Sequence, residues 1–297
     1  MRYGLCLPNF TGLASPEAID AAAAVAERLG WDSVWTTDHV LVDSSEDAAD
    51  YRTNFDVIET LAWVGARYPT IGLGTSVIVV PQRNAIVLAK ELATLDALSG
   101  GRVIAGIGVG WSEPEFANLA MADRFAVRGA YLEETIELWR HLWSGSGEPF
   151  AGRFHTVSDY RFGPLPAQGV GLPIWIGGRA DAALERAGRL ADGYHSSASG
   201  PESFARRVPV IRAAADAAGR PMPTLSARVR VAFDEPVDSA EPRPYAMRGS
   251  AEDVAAEVAK FAALGVEHLA IFFEADTIEA FLADAERFTA EVAPLGS

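Results

Sequence analysis

The chain has 297 residues, 49% hydrophobic and 22% charged, with one cysteine and a formal net charge of −15. That acidity excludes a protein that grips nucleic acid, because neutralising phosphates needs a basic surface. The lone Cys6 excludes an internal disulfide framework and fits a reducing cytoplasm, while no apolar run approaches the ~20 residues of a membrane span or leads into a signal-peptide cleavage site.

Short apolar runs alternate with helical patterns, the mark of βα units around a parallel sheet. The first strand is expected at 3–8 (YGLCLP), with Cys6 as a small buried hydrophobe. A helix over 16–29 follows, started by Ser15 at the N-cap and Pro16 at the first helical position and stopped by Gly30. Next come a strand at 33–37 (SVWTT) and a helix at about 55–67. A strand at 71–79 (IGLGTSVIV) leads to a helix at 85–98, and a strand at 103–109 (VIAGIGV) to a helix near 128–143. Residues 144–173 are dense in glycine and proline and read as an insertion carrying one hairpin between FHTV and YRF. The rhythm resumes with strands at 173–176 (PIWI), 192–197 (DGYHSS), 225–233 (LSARVRVAF) and 267–273 (EHLAIFF). Their helices run from 180, over 202–218, over 251–264 and over 277–292. Eight strands and eight helices in strict alternation predict a single (β/α)₈ TIM-barrel domain over 1–297, since ~250 residues commonly form one such barrel. A doubly wound open sheet is the rival arrangement. The loop 234–249 follows the seventh strand and so lies over the C-terminal face, as a lid or as a plain connection.

Residues just past the strand C-termini of such a barrel converge on one mouth. Here they are Asn9 and Phe10, then Thr37, Asp38 and His39, then Ser76 and Val77, then Gly108, Gly110 and Trp111, then Gly177, Gly178 and Arg179, and finally Ser196 and Ser197. His39 carries the side chain that exchanges a proton near neutral pH; at this place it is either an acid–base group or a packed histidine. IWIGGR (174–179) brings two glycines to a strand end that runs into a helix, where backbone N–H groups and the helix terminus favour an anion. Arg179 adds a cation, and Ser196 and Ser197 could offer hydroxyls to the same phosphate. GIGVG (106–110) lacks the GxGxxG spacing, and there is no GxSxG elbow, GxxxxGK[ST] loop or HExxH pair. The five histidines are scattered, so no metal site is expected.

Three stretches carry more than this chemistry: ERLGWDSVWTTDHV (27–40), IGLGTSVIVVPQRNAIVLAKELATLDALSGGRVIAGIGVGW (71–111) and PIWIGGRADAALERAGRLADGYHSS (173–197). With them the chain resembles the luciferase-like monooxygenase superfamily, and within it the branch that uses the deazaflavin coenzyme F420. The resemblance covers most of residues 1–197. It implies a (β/α)₈ barrel with a ring system at the strand C-termini, its phosphate at the IGG turn, and a non-proline cis peptide at Ser76–Val77 behind the ring. The cofactor contacts it implies are Asp38, Ser76, Val77, Gly110, Ile176, Gly177, Gly178, Arg179, Ser196 and Ser197. His39 becomes the catalytic proton carrier, and Asn9 and Trp111 face a small-molecule substrate. Trp111 stands where the sugar-phosphate dehydrogenases of this superfamily carry a glutamate, which speaks for a flatter, more apolar substrate. The expected activity is F420-dependent hydride transfer. An FMN-dependent monooxygenase is the alternative, and a non-catalytic flavin carrier is a third reading. A homodimer is what the family suggests, and Arg83, Arg179, Arg243 and Arg248 are the candidate cations for the anionic tail of F420.

Overall fold

The computed structural model describes residues 1–236 and 245–295. Its first half runs β1 (Arg2–Cys6), α1 (Pro16–Arg28), β2 (Ser33–Thr36), α2 (Val57–Arg67), β3 (Gly72–Thr75), β4 (Ile78–Val79), α3 (Ala85–Ser99), β5 (Val103–Gly108), α4 (Glu113–Asn118) and α5 (Ala122–Trp143). The second half runs β6 (Phe150–Ala151), β7 (Thr156–Val157), β8 (Ile174–Gly177), α6 (Asp181–Leu190), β9 (Gly193–Ser197), α7 (Pro201–Ala217), β10 (Thr224–Phe233), β11 (Ala246–Gly249), α8 (Ala251–Ala263), β12 (Val266–Phe273) and α9 (Ile278–Arg287). Parallel pairing passes from β1 through β2, β3, β5, β8, β9, β10 and β12 and returns to β1. The sheet is therefore a closed eight-stranded (β/α)₈ barrel, and the open-sheet alternative is excluded.

The helices begin where local chemistry starts them. Ser15 Oγ accepts from Ala18 N, Asp56 from Ile58 N, Asn84 from Ile86 N and Val87 N, and Ser250 with Asp253 forms a capping box. Each such cap contributes ~1 kcal/mol. Inside the barrel, Trp35 and Trp175 stack with ring centroids 5.4 Å apart. Neighbouring strands leave room for them with glycine: a Cβ on Gly4 would lie 2.2 Å from Trp35, one on Gly74 2.5 Å from Trp35, and one on Gly193 2.4 Å from Trp175.

Several expected elements differ. The strand expected at 71–79 breaks into β3 and β4, with the Ser76–Val77 peptide cis between them and β4 paired to β5. Helix α4 was not expected, and α5 starts at Ala122 rather than near 128. The hairpin pairs Phe150 with Val157 and Ala151 with Thr156, so YRF takes no part. Its turn is held instead by Glu134, whose carboxylate accepts from the backbone N–H groups of Arg153, Phe154 and His155 at 2.7 Å each. The last helix ends at Arg287 and gives way to a π turn over Phe288–Val292. Part of the 234–249 loop is the strand β11, which takes the edge of β10 above the point where β9 leaves it. The centre of that loop, including Arg243, lies outside the described residues.

Candidate functional site

At the end of β2 the chain turns outward, and two successive side chains part company. Asp38 is buried and accepts from Arg83 Nη2 at 2.6 Å, Arg83 Nε at 3.3 Å and Val79 N at 2.9 Å. Arg83 also grips Asp56 at 2.7 Å. The Asp38 carboxylate, expected from sequence at the cofactor, thus ties the end of β2 to β4 and Arg83. His39 points the other way, and its Nδ1 lies 3.0 Å from Glu115 Oε2.

Glu115 was not singled out from sequence. It stands on α4, where Ser112 caps the first turn by accepting from Glu115 N at 3.3 Å. The Ser-Glu-Pro-Glu run over 112–115 carries the S-x-x-E signature of a helix start, and that signal could have found α4. Here the glutamate does not reach back to the cap. Its buried carboxylate collects His39 Nδ1, Gln82 Nε2 at 3.1 Å, Val40 N at 2.8 Å and Leu41 N at 3.3 Å. Burial pushes its pKa up, but the hydrogen bond and charge of His39, with the Gln82 and Val40 donors, outweigh this and hold it below the usual value. An ionised carboxylate only accepts, so the Nδ1 of a neutral His39 bears the proton and Nε2 is left as the acceptor. Tyr51 flanks the imidazole at 4.0 Å, and Trp111 meets it edge-on at 5.9 Å and 71°. Trp111 is 51% exposed at the mouth.

Across the mouth, β8 ends in the IGG turn. Ile176 is fully buried and offers only its backbone. Gly178 sits at φ +127°, and a Cβ there would meet the Ala183 methyl at 2.6 Å. Tyr194 Oη donates to Gly178 O at 2.8 Å, which fixes the turn. The N-cap of α6, Ala180, supplies no side-chain acceptor, so the first-turn N–H groups of that helix have no side-chain cap. Arg207 of α7, also not anticipated, reaches under the end of β9: its Nη1 donates to Ser196 Oγ at 2.8 Å and Ser199 Oγ at 2.6 Å. Ser197 and Arg179 are exposed. Gly110, at φ +77°, turns the chain where a Cβ would lie 2.6 Å from Val79 and 3.0 Å from Phe116.

Other residues expected at the site are engaged within the fold. Asn9 is buried. Its Nδ2 donates to Thr37 O at 2.8 Å and Phe55 O at 2.9 Å, and its Oδ1 accepts from Thr37 N at 3.0 Å, so its amide is spent tying loops together. Of the cations expected for an anionic tail, Arg83 is taken by Asp38 and Asp56, and Arg248 by Glu274 at 3.1 Å. Arg179 has no ion pair among the described residues.

A closed parallel barrel with its polar groups gathered at the strand C-termini is the layout of a small-molecule site. The chain belongs to the luciferase-like monooxygenase family, whose profile matches residues 1–252. It is 31% identical over 230 residues to an F420-dependent glucose-6-phosphate dehydrogenase of Kineococcus radiotolerans, covering 74% of this chain and 65% of the relative. The chain therefore spans just under two thirds of that curated relative. Among solved structures, an F420-dependent secondary alcohol dehydrogenase in complex with an F420–acetone adduct superposes with a TM-score of 0.84 at 17% identity, covering 100% of this chain and 99% of that one. The oxygenating constituent of 3,6-diketocamphane monooxygenase from Pseudomonas putida, in complex with FMN, gives 0.80 at 17% identity, covering 99% and 98%. At such identities the structural likeness concerns the fold.

Proposed function

We propose that the protein is a coenzyme F420-dependent oxidoreductase that moves hydride between the deazaflavin and a small apolar or planar organic substrate. The observation that carries this is the buried His39–Glu115 pair, opening beside Trp111 at the barrel mouth. The curated relative at 31% identity supports the choice of F420. The residues present also fit such a group. Val77 and the broken β3–β4 edge offer a backing for a ring. Gly177, Gly178, the α6 N-terminus, Arg207, Ser196 and Ser199 form a cradle for phosphate that a Cβ at residue 178 would disturb, and Arg179 and Ser197 stand exposed at its rim. When bound, the deazaflavin supplies a ring carbon that accepts or gives hydride. The protein's own part is the proton. In the neutral tautomer that the Glu115 carboxylate selects, His39 Nε2 faces away from Glu115 and takes the hydroxyl proton of a substrate being oxidised, returning it in the reverse direction. Trp111 offers an aromatic edge against which a flat or apolar substrate packs, in place of the carboxylate that a sugar phosphate would meet.

Among the described residues no helix is long and apolar enough to cross a membrane, and no three metal-ligating side chains gather. We place the enzyme in the cytoplasm as a homodimer, which sedimentation would test. The deciding experiment is a paired titration of the apoprotein with F420 and FMN at low and high ionic strength. F420 is expected to bind, with a salt-sensitive increment from its tail. Tight FMN binding without measurable F420 binding would overturn the reading in favour of a monooxygenase.

A further inference from the structure

The barrel interior holds a row of polar side chains that the proton step above does not use. His268 of β12 and His195 of β9 are buried there and strung between three serines. Ser33 Oγ lies 3.1 Å from His268 Nε2, His268 Nδ1 3.0 Å from Ser226 Oγ, Ser226 Oγ 2.8 Å from His195 Nδ1, and His195 Nε2 2.8 Å from Ser76 Oγ. The row climbs from the first residue of β2 to the residue that enters the cis peptide at the mouth.

Both imidazoles are neutral. Burial, reinforced by the charge of Arg228, pushes His195 down to about 3. Burial, then His195 and Arg2, hold His268 well below its usual value. The carboxylate facing His268 is Asp32, 4.0 Å from Nε2 and partly exposed, too far to accept a hydrogen bond. A neutral imidazole donates from one nitrogen and accepts on the other, and a hydroxyl has one proton to give. If both imidazoles donated to Ser226, the proton of that buried serine would lack an acceptor among the described residues, a costly state, so the row points either up or down.

The floor of the barrel decides which. Trp35 Nε1 donates to Ser33 Oγ at 2.8 Å, and an indole can only donate. If the row pointed down, Ser33 would receive two donors, and its own buried proton would lack an acceptor among the described residues, a costly state. Pointing up, Ser33 donates to His268 Nε2, His268 Nδ1–H to Ser226, Ser226 to His195 Nδ1, and His195 Nε2–H to Ser76 Oγ. The Ser76 proton is then released toward the mouth, where no protein group among the described residues takes it. We propose that Trp35, through this row, sets Ser76 as a hydrogen-bond donor to an acceptor atom of the flavin-type ring, which makes His195 and His268 positioning residues for the cofactor. This rests on the reading that such a ring occupies the mouth.

The first test needs no cofactor. Nitrogen-15 NMR of histidine-labelled apoprotein is expected to show His195 protonated on Nε2 and His268 on Nδ1. Any other pair of tautomers would overturn the inference. The second is a double-mutant cycle read as the F420 dissociation constant. Ser76→Ala should weaken binding about three- to tenfold, the worth of one neutral hydrogen bond. Trp35→Phe should weaken it by up to the same factor alone, and by nothing in the Ser76→Ala background. Independent, multiplying effects, or a Trp35→Phe protein that binds as the wild type does, would overturn it. If Trp35→Phe does not fold, Ser33→Ala removes the same link and is read the same way. A wild-type protein that binds no flavin-type ring refutes the proposed function, while the tautomers still decide the polarity of the row.

Discussion

Replacing Glu115 with glutamine keeps its size and removes its charge. The native carboxylate accepts four hydrogen bonds, whereas an amide offers one oxygen and one NH₂ group. If the new oxygen keeps the backbone donors of Val40 and Leu41, the NH₂ group faces Gln82 and His39 Nδ1. Gln82 can adapt, because its buried Oε1 has no partner and an amide rotation turns it into an acceptor. His39 cannot adapt without changing tautomer. Its Nδ1 must accept, so the proton moves to Nε2, where the imidazole can no longer take a proton from substrate. We expect turnover to fall ~10²–10⁴-fold, the worth of a positioned acid–base group, with cofactor affinity little changed. Loss of the buried charged hydrogen bond should cost about 1.5–3 kcal/mol in stability. Turnover, F420 dissociation constant and urea midpoint are measured on one preparation. The His39→Ala, Glu115→Gln double variant should be no slower than His39→Ala alone, since the two act as a unit. A folded Glu115→Gln enzyme within threefold of wild-type turnover would refute the reasoning.

Three other outcomes follow from the same geometry. Gly178→Val should weaken cofactor binding at least about fivefold, because a non-glycine residue at φ +127° costs ~1–3 kcal/mol and its Cβ meets Ala183, so the turn must shift; an unchanged dissociation constant would move the phosphate elsewhere. Arg207→Met should lower F420 affinity more at low salt than at high salt, because screening weakens the charge it removes; an equal loss at both would assign Arg207 to packing. The buried histidines should make the fold acid-labile. His195 titrates at about 3 folded and near its usual 6.5 unfolded, so as pH falls the unfolded chain binds the proton first. Stability is complete above about 6.5 and is lost toward 3, roughly 2–3 kcal/mol from His195 by pH 4.5, with His268 acting in the same direction. Urea midpoints at pH 7.5 and 4.5 check this, and His195→Gln should flatten the difference; an unchanged pH slope would refute it.

The barrel was legible because each βα unit announces itself locally, through a short apolar run, a capped helix and a glycine or proline stop. The position of His39 was legible for the same reason, as it follows a strand end. Its partner was not: Glu115 lies 76 positions along the chain, on a short helix whose capping signal is easily taken for loop. Arg83 is separated from Asp38 by 45 positions, and in sequence it looked like a free surface cation. Asn9 shows the converse. Its place at the rim could be read, but whether its amide remained free depended on the carbonyls of Thr37 and Phe55. The break at Ser76–Val77 came from family resemblance alone, since the pattern of 71–79 reads as one unbroken strand. Arg207 lies within a helix whose charges look solvated until the serines at the end of β9 are seen beneath it.

The two indoles inside the barrel constrain how this sequence can drift. Trp35 and Trp175 occupy volume that Gly4, Gly74 and Gly193 vacate, and the glycines come from three strands far apart in the chain. None of the three can gain even a methyl group unless the facing ring shrinks or moves. A ring that shrinks leaves a void beside it, and at Trp35 it also removes the donor at the floor. Large and small residues at these five positions should therefore exchange together across related barrels, glycine appearing wherever the opposite wall carries tryptophan. A variant library that randomises one wall at a time would find neither wall tolerant, whereas one that randomises facing pairs should recover folded combinations such as alanine opposite phenylalanine.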